Sequence, residues 1–375
     1  MINFYNLPKL NNEYISKFMS DTLEIIHSNR YIIGEFTGTF EKNFANYCGV
    51  KHAIGVGNGF DALTLAMRGL IILGKIKIGD EVIVPANTYI ATVLSIVAAQ
   101  LKPIFVEPEL STFNIDVNRI EVAITPRTKV ILPVHLYGQP ADMKSIMQIA
   151  NSRDLLVIED VAQAHGADIG GTRVGSFGDV GCFSFFPGKN LGAFGDAGGI
   201  ITDNLHLNEV IISLRNYGEE AFSDFADRKY SNIYQGVNSR MDELQAAILR
   251  LKLPDLDYSN NIRRKIANKY LCEMNNQKII LPTKNSWSNS VWHLFVLRCK
   301  KRNEFIKHMK DCGVATMIHY PIPPHRQVAF HSYSSESYPI TEQIHEQVVS
   351  IPLHPHLTED EQDIIVSAVN SYKES

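Results

Sequence analysis

The sequence predicts an α/β protein in which helices cover both faces of a mostly parallel sheet, followed by a smaller C-terminal α+β domain. Between residues 80 and 158, strand segments alternate with helical segments, and each strand is a continuous apolar run. Such runs are typical of parallel strands that are buried on both faces. The amphipathic helix predicted at 239–252 leads out of this pattern, so we assign 1–250 to the large domain and 251–375 to the small one.

The elements follow in chain order. An apolar pattern at 14–26 predicts a partly buried helix, and the phenylalanines at helical spacing from Phe36 to Phe44 predict core packing. A short strand at 53–56 enters a glycine-rich turn that opens a helix. The later predicted strands are 82–85, 103–106, 130–134, 155–158 and 292–297. The later predicted helices are 89–99, 116–124, 142–152, 239–252, 302–312 and 358–372.

Composition narrows the class of protein. The 375 residues carry a net charge of -4, which gives no reason to expect a nucleic-acid partner. No apolar run reaches the roughly 20 residues of a membrane span, and the N-terminus lacks the pattern of a signal peptide. The five cysteines are scattered without a C-x-x-C pair, which argues against disulfides and against a zinc site. We therefore expect a cytoplasmic protein with no metal and no membrane partner.

One lysine has unusual surroundings. Lys189 lies in a stretch of phenylalanine, proline and glycine at 184–199, whereas a surface lysine normally has polar neighbours. Burial disfavours the charged form of an amine, and an uncharged amine attacks carbonyl groups. The stretch predicts a lysine that forms a Schiff base, and a buried structural lysine is the alternative.

Two further features complete a cofactor site. The strand at 155–158 runs into Glu159 and Asp160, and carboxylates at this end of a parallel strand face the ligand crevice; an acidic helix cap is the alternative. The turn at 57–60 opens a helix whose free amides suit a phosphate, although such turns also serve packing alone. The turn matches neither a P-loop nor the dinucleotide fingerprint. An acid, a lysine and a phosphate site together predict pyridoxal 5'-phosphate (PLP).

Four segments then resemble a known family. They are EDVAQAHG at 159–166, SFFPGKNLG at 184–192, GVNSRMDELQAA at 236–247 and SIPLHP at 350–355. In this order they resemble the nucleotide-sugar aminotransferases of the DegT/DnrJ/StrS family, which are PLP enzymes of fold type I. The resemblance extends from about Gly34 to about Thr358.

The resemblance implies roles at the cofactor ring. Lys189 matches the lysine that bonds to the cofactor aldehyde and later moves a proton. Asp160 matches the partner of the pyridinium nitrogen, and Gln163 matches the contact to the ring 3-hydroxyl. Tyr89 matches the aromatic residue that stacks on the ring.

The resemblance also implies roles at the phosphate and at the subunit boundary. Ser184 and the amides of Gly59 and Phe60 would hold the phosphate. Asn238 matches an asparagine that reaches the phosphate of the neighbouring subunit, which implies a homodimer with shared active sites. Arg240 is a candidate for the carboxylate of the amino donor.

Two departures from the common family pattern indicate a branch. Many members have Ser-Gly-Thr where this chain has Asn-Gly-Phe at 58–60, and many have histidine at the position of Tyr217. Both changes, and the loop at 318–327, resemble the branch that aminates C3 of dTDP-3-keto-6-deoxyhexoses. A proline-rich loop with incidental imidazoles is the alternative for this loop. Its predicted sugar contacts are His319, Tyr320 and His325.

The function predicted from the sequence is transamination of a nucleotide-linked keto-6-deoxyhexose, with L-glutamate as donor and a 3-amino sugar as product. We expect the product to enter a surface polysaccharide or another glycosylated product. Amination at C4 of a dTDP- or UDP-4-keto sugar is the first alternative. The second alternative is a family member that binds PLP without aminating a substrate. The dehydrating members of the family have histidine in place of the lysine, and because residue 189 is lysine, this alternative is disfavoured. The missing dinucleotide fingerprint disfavours an oxidoreductase.

Overall fold

The computed structural model describes residues 1–220 and 231–374. Within those residues, the large domain is built on a seven-stranded sheet with the order β1-β9-β8-β5-β4-β2-β3. Its strands are β1 His52–Val56, β2 Glu81–Pro85, β3 Lys102–Val106, β4 Thr128–Ile131, β5 Leu156–Asp160, β8 Val180–Ser184 and β9 Gly198–Thr202. A small hairpin, β6 Asp168–Ile169 and β7 Thr172–Arg173, lies between β5 and β8.

The direction of the strands agrees with the predicted mostly parallel sheet. Strands β3, β2, β4, β5 and β8 pair in parallel, and only β9 among the strands described in this sheet runs against its neighbours β8 and β1. The sequence did not predict β8 and β9, because glycines interrupt their apolar pattern. A Cβ on Gly199 would lie 2.9 Å from the Phe185 ring, so close packing requires glycine there.

Helices cover both faces of this sheet. Alternating residues of β2 point to opposite sides: Val82 and Val84 pack in one core cluster, and Ile83 packs in another. The aromatic residues of the third helix, Phe40 and Phe44, are buried as predicted. The helices of the large domain are α1 Leu7–Asn11, α2 Ile15–Ser28, α3 Glu35–Cys48, α4 Gly59–Ile72, α5 Ile90–Ala98, α6 Val117–Ala123, α7 Met143–Arg153, α8 Leu205–Leu214 and α9 Glu243–Lys252.

The C-terminal part has its own sheet and core. The antiparallel strands are β10 Ile279–Ile280, β11 Phe295–Cys299 and β12 Val348–Ile351. The helices are α10 Leu256–Glu273, α11 Arg302–Asp311, α12 Pro339–Gln347 and α13 Glu359–Ser371, and Thr358 and Glu361 form the predicted capping box of α13. Ile2 from the N-terminus joins this core and pairs with Val314. The domain boundary at residues 250 and 251 stays a prediction.

The fold directs several chain segments to one edge of the large sheet. Because β1, β2, β4, β5 and β8 point the same way, their carboxyl ends meet there. These ends deliver the residues after Val56, Pro85, Ile131, Asp160 and Ser184. Such an edge is where open α/β sheets bind ligands. No helix in the described part of the chain is long and apolar enough to cross a membrane.

Candidate active site

A cavity of about 660 Å³ opens at the carboxyl edge of the sheet. The structure brings together nine of the residues predicted for the site, and all of them line this cavity. They are Gly59, Phe60, Tyr89, Asp160, Gln163, Ser184, Lys189, His319 and Tyr320. Residues more than 200 positions apart in the sequence therefore contribute to one surface.

Lys189 lies on the loop between β8 and β9. Its amide donates to the carbonyl of Phe186 at 2.8 Å, and a Cβ on Gly192 would overlap the carbonyl of Pro187, so this tight turn requires glycine. Desolvation lowers the pKa of the Lys189 amine to about 8, and the charge of Asp160 opposes this shift. Within the described residues, no carboxylate oxygen lies within ion-pair distance of the amine. The amine is thus available to react in the cavity.

Asp160 is the last residue of β5 and is buried. One carboxylate oxygen accepts from the amide of Ala162 at 3.1 Å, and the other accepts from the hydroxyl of Thr92 at 2.8 Å. Burial raises the pKa of Asp160, whereas these two hydrogen bonds and the charge of Lys189 lower it. The element that follows β5 in the described structure is the strand β6, not a helix, so the helix-cap alternative fails. Each oxygen keeps a lone pair that can accept from a ligand.

The neighbouring acid, Glu159, has a different task. It points to the other face of β5 and accepts three hydrogen bonds of 2.7–2.8 Å from amides of the turn at 175–178. His135 Nε2 lies 2.9 Å from the same carboxylate. Since His135 Nδ1 accepts from the amide of Ala141, we assign the ring proton to Nε2. Glu159 therefore fixes a turn and does not face the cavity.

Gln163 joins the cavity wall to the small domain. Its side-chain oxygen accepts from the amide of Tyr137 at 2.7 Å, and its nitrogen donates to the hydroxyl of Tyr320 at 3.0 Å. The ring of Tyr320 lies 5.1 Å from that of Tyr89. His319 bonds to the hydroxyl of Ser350 at 2.8 Å, and burial lowers the pKa of its ring to about 4. His319 is therefore a neutral hydrogen-bonding group at neutral pH.

The start of α4 forms a cradle beside Ser184. A Cβ on Gly59 would lie 2.6 Å from the Cβ of Ser184, so the two backbones approach closely only because residue 59 is glycine. Asn58 caps the helix through the amide of Asp61 at 2.8 Å. The amides of Gly59 and Phe60 have no hydrogen-bond acceptor in the described residues. Asn58 therefore caps α4 in the way that the serine of the common Ser-Gly-Thr pattern could cap it.

Three predicted site residues form a cluster outside this cavity. Arg240 donates to the side chain of Asn216 at 2.9 Å and lies 5.5 Å from the centre of the Tyr217 ring. Asn238 is exposed and forms a β-bridge with Asn216. The ring of Tyr217 is 48% exposed. We call Tyr217, Asn238 and Arg240 the rim cluster; none of them lines the cavity of its own chain.

The structure does not bring His325 to the cavity. Its side chain is fully buried in a short 3₁₀ turn, Pro324–Arg326, and packs on the rings of Phe105 and Tyr338. Its Nε2 lies 3.1 Å from Glu342. The predicted sugar contact at His325 therefore needs correction, because a side chain in this position touches only protein.

Sequence reasoning missed other residues that line the cavity. Tyr5 and Leu7 reach it from the N-terminus, and a Cβ on Gly188 would be 3.9 Å from the Tyr5 ring. His293 also lines it and bonds to Asn190 at 3.1 Å. Burial lowers the pKa of His293 well below its usual range. No local pattern marks these residues, since His293 sits in an apolar run and Tyr5 precedes every motif.

The residues present fit PLP. Beside Ser184, the unbonded amides of Gly59 and Phe60 offer donors for a phosphate. The buried carboxylate of Asp160 offers free lone pairs to a protonated ring nitrogen. The amine of Lys189, with its lowered pKa, suits an aldehyde. These three groups line one cavity large enough for the cofactor and part of a substrate.

Comparisons with known proteins identify the family. The model of the DegT/DnrJ/EryC1/StrS aminotransferase family matches residues 13–370. A relative from Aneurinibacillus thermoaerophilus, named dTDP-3-amino-3,6-dideoxy-alpha-D-galactopyranose transaminase, is 50% identical over 372 residues, which are 99% of each chain.

Two solved structures share the fold. S. venezuelae DesV, in complex with a ketimine intermediate, is 41% identical and has a TM-score of 0.93 over 98% of this chain and 97% of its own. NtdA from Bacillus subtilis, with bound cofactor PMP, is 36% identical and has a TM-score of 0.88 over 98% of this chain and 84% of its own. The predicted fold and the predicted cofactor are confirmed by these findings. The chain therefore belongs to the DegT/DnrJ/EryC1/StrS aminotransferase family, whose enzymes depend on PLP.

Proposed function

We propose that this enzyme transfers the amino group of L-glutamate to C3 of a dTDP-linked 3-keto-6-deoxyhexose. The observation that carries the proposal is the similarity along 99% of the chain to a transaminase whose named product bears its nitrogen on C3. The polar wall formed by His319 and Tyr320 supports it, because a hexose presents several hydroxyl groups to such a wall. The 3-amino sugar would serve a surface polysaccharide or another glycosylated product.

The residues of the site divide the chemistry between them. When bound, PLP supplies an aldehyde that receives an amino group and a conjugated ring that takes up electron density. The amine of Lys189, with a pKa of about 8, is partly uncharged near neutral pH and can therefore accept and return a proton. Asp160 would hold the positive charge of the ring nitrogen, while Ser184 and the amides at the start of α4 would hold the phosphate. Tyr89 provides an aromatic face for the ring.

The position of amination depends on the pose of the sugar. The same cofactor chemistry can serve C3 and C4, so the residues that contact the hexose must decide between them. A hydrogen-bonding wall rejects a misplaced hydroxyl far better than an apolar wall does. His319 is neutral at physiological pH and held by Ser350, and Tyr320 is held by Gln163. These two side chains are therefore fixed in orientation and suited to this choice.

The enzyme would act as a homodimer with shared active sites. The rim cluster lies outside the cavity of its own chain, and the ring of Tyr217 is half exposed. This position supports contact with the cavity of a partner subunit, where Asn238 would reach the phosphate and Arg240 the carboxylate of glutamate. All five cysteines are free, which supports a location in the reducing cytoplasm.

A panel of keto-sugar nucleotides tests the proposal. The purified enzyme is incubated with ¹⁵N-labelled glutamate and either dTDP-3-keto-6-deoxyhexose or its 4-keto isomer, and the products are examined by NMR. We expect nitrogen on C3 from the 3-keto sugar and little turnover of the 4-keto isomer. Nitrogen on C4, with an inert 3-keto sugar, would replace the proposal by 4-amination.

A further inference from the structure

Two buried threonines lead to the carboxylate of Asp160. Thr92 lies in the first turn of α5, and Thr88 lies four residues earlier in the loop after β2. Their side chains are almost fully buried, with exposures of 1% and 2%. The hydroxyl oxygens are 2.8 Å apart, and the hydroxyl of Thr92 lies 2.8 Å from Oδ2 of Asp160. Three polar groups thus form one short chain along the wall of the cavity.

The direction of these hydrogen bonds follows from the chemistry of the groups. An ionised carboxylate can only accept, so the hydroxyl of Thr92 donates its single proton to Asp160. Thr92 then has no proton for Thr88, and the hydroxyl of Thr88 must donate to Thr92. A hydroxyl that accepts one hydrogen bond is a stronger donor of the next. The chain therefore delivers a polarised donor to one oxygen of Asp160.

We propose that Thr88 and Thr92 are positioning residues that keep the carboxylate of Asp160 ionised and oriented toward the cofactor ring nitrogen. The inference rests on the role proposed above for Asp160. The second donor, the amide of Ala162 at 3.1 Å, belongs to the backbone. The Thr88–Thr92 chain thus supplies the hydrogen bond that Asp160 receives from a side chain, and a substitution can remove this bond.

The electrostatic surroundings make this support necessary. Burial raises the pKa of Asp160, and the hydrogen bond from Thr92 is one of the contributions that lower it. Without that bond, a larger fraction of Asp160 is protonated at any acidic pH, and a neutral carboxyl group holds a protonated ring nitrogen less well. The titratable groups that face this carboxylate from the surrounding elements are His135, Cys182, Lys189 and Tyr320.

The test measures the binding of PLP to the apoenzyme by quenching of protein fluorescence. Thr92→Val keeps the volume of the side chain and removes the hydroxyl, whereas Thr92→Ser keeps the hydroxyl and removes a methyl group. We expect Thr92→Val to bind PLP about tenfold more weakly than the unmodified enzyme at about pH 6, with a smaller loss at about pH 8. We expect Thr92→Ser to stay within about twofold at both values. In the holoenzyme, Thr92→Val should lower kcat and leave KM for both substrates unchanged.

The outcomes separate this inference from a purely structural role. A loss of the same size at both pH values, or a larger loss in Thr92→Ser than in Thr92→Val, would show that packing matters and would overturn the inference. If Thr92→Val does not fold, Thr88→Val carries the test with an expected loss of about threefold near pH 6, and unchanged binding would overturn the inference. Asp160→Asn is the reference: if it binds PLP normally, the proposed role of Asp160 fails first. If it binds weakly while Thr92→Val does not, only the inference fails.

Discussion

The floor and the rim of the active site are built in different ways. The floor consists of Gly59, Asp160, Ser184 and Lys189, which lie at strand ends or in the segments that follow them and line one cavity. The rim cluster of Tyr217, Asn238 and Arg240 is exposed or half-buried and lies outside that cavity. A sheet edge therefore assembles the floor within a single subunit, whereas the proposed task of the rim requires a second copy.

Lys189→Ala should cause the largest loss of activity, because it removes the reactive amine of the floor. In the proposed mechanism the amine bonds to the cofactor aldehyde, and alanine offers no nucleophile, so we expect turnover to fall by at least about 10⁴-fold. Borohydride reduction of the unmodified enzyme followed by peptide mapping should place the cofactor on Lys189. A label on any other lysine would contradict the assignment. PLP should still bind to the variant without a covalent bond.

Substitution of the two adjacent acids should separate chemistry from folding. Asp160→Asn should lower kcat by about 100-fold, because the ring nitrogen loses its counter-charge, and should change the free energy of unfolding by less than about 1 kcal/mol. Glu159→Gln should instead destabilise the fold by about 1–3 kcal/mol, since four donors converge on that carboxylate. Steady-state kinetics and denaturant unfolding of both variants measure the two effects. Equal effects on activity would show that Asp160 is only structural.

The loop at 318–327 contains its own internal control. His319→Ala should raise KM for the sugar by about tenfold and leave KM for glutamate unchanged, because the ring lines the cavity. His325→Ala should leave both KM values nearly unchanged and lower the free energy of unfolding by about 1–3 kcal/mol, because it removes the contact with Glu342 and opens a cavity at a fully buried position. A large rise of KM for the sugar in the His325 variant would contradict this account and support the sugar contact predicted from the sequence.

The pKa of Lys189 predicts a pH dependence. Only the uncharged amine attacks an aldehyde, and desolvation lowers the pKa of this amine to about 8. The rate at which PLP bonds to the apoenzyme should therefore rise as the pH increases toward about 8 and level off above it. Stopped-flow absorbance measures this rate. An unshifted lysine would give a rate that still rises well above that pH.

The sequence predicted the floor better than the rest of the molecule. Asp160 and Lys189 lie in contiguous motifs next to apolar strands, so local pattern and tertiary position agree. Strands β8 and β9 escaped prediction because glycines that allow close packing interrupt their apolar runs. The contributions of Tyr5, His293 and Thr92 depend on contacts between distant segments, which no local pattern records. His325 was misplaced because its side chain, in a short 3₁₀ turn, packs on the rings of Phe105 and Tyr338 and does not reach the cavity.

The most direct test of the contrast between floor and rim mixes one variant impaired in the floor with one variant impaired in the rim. Asn238→Ala leaves the floor intact, and Lys189→Ala leaves the rim intact. If each rim serves the partner's floor, a heterodimer of these two chains contains one complete site and one doubly impaired site. Denaturing and refolding an equal mixture should then recover about one quarter of the activity of the unmodified enzyme, because about half of the dimers are mixed and each has one working site. Recovery of no activity above that of the separate variants would contradict a shared active site.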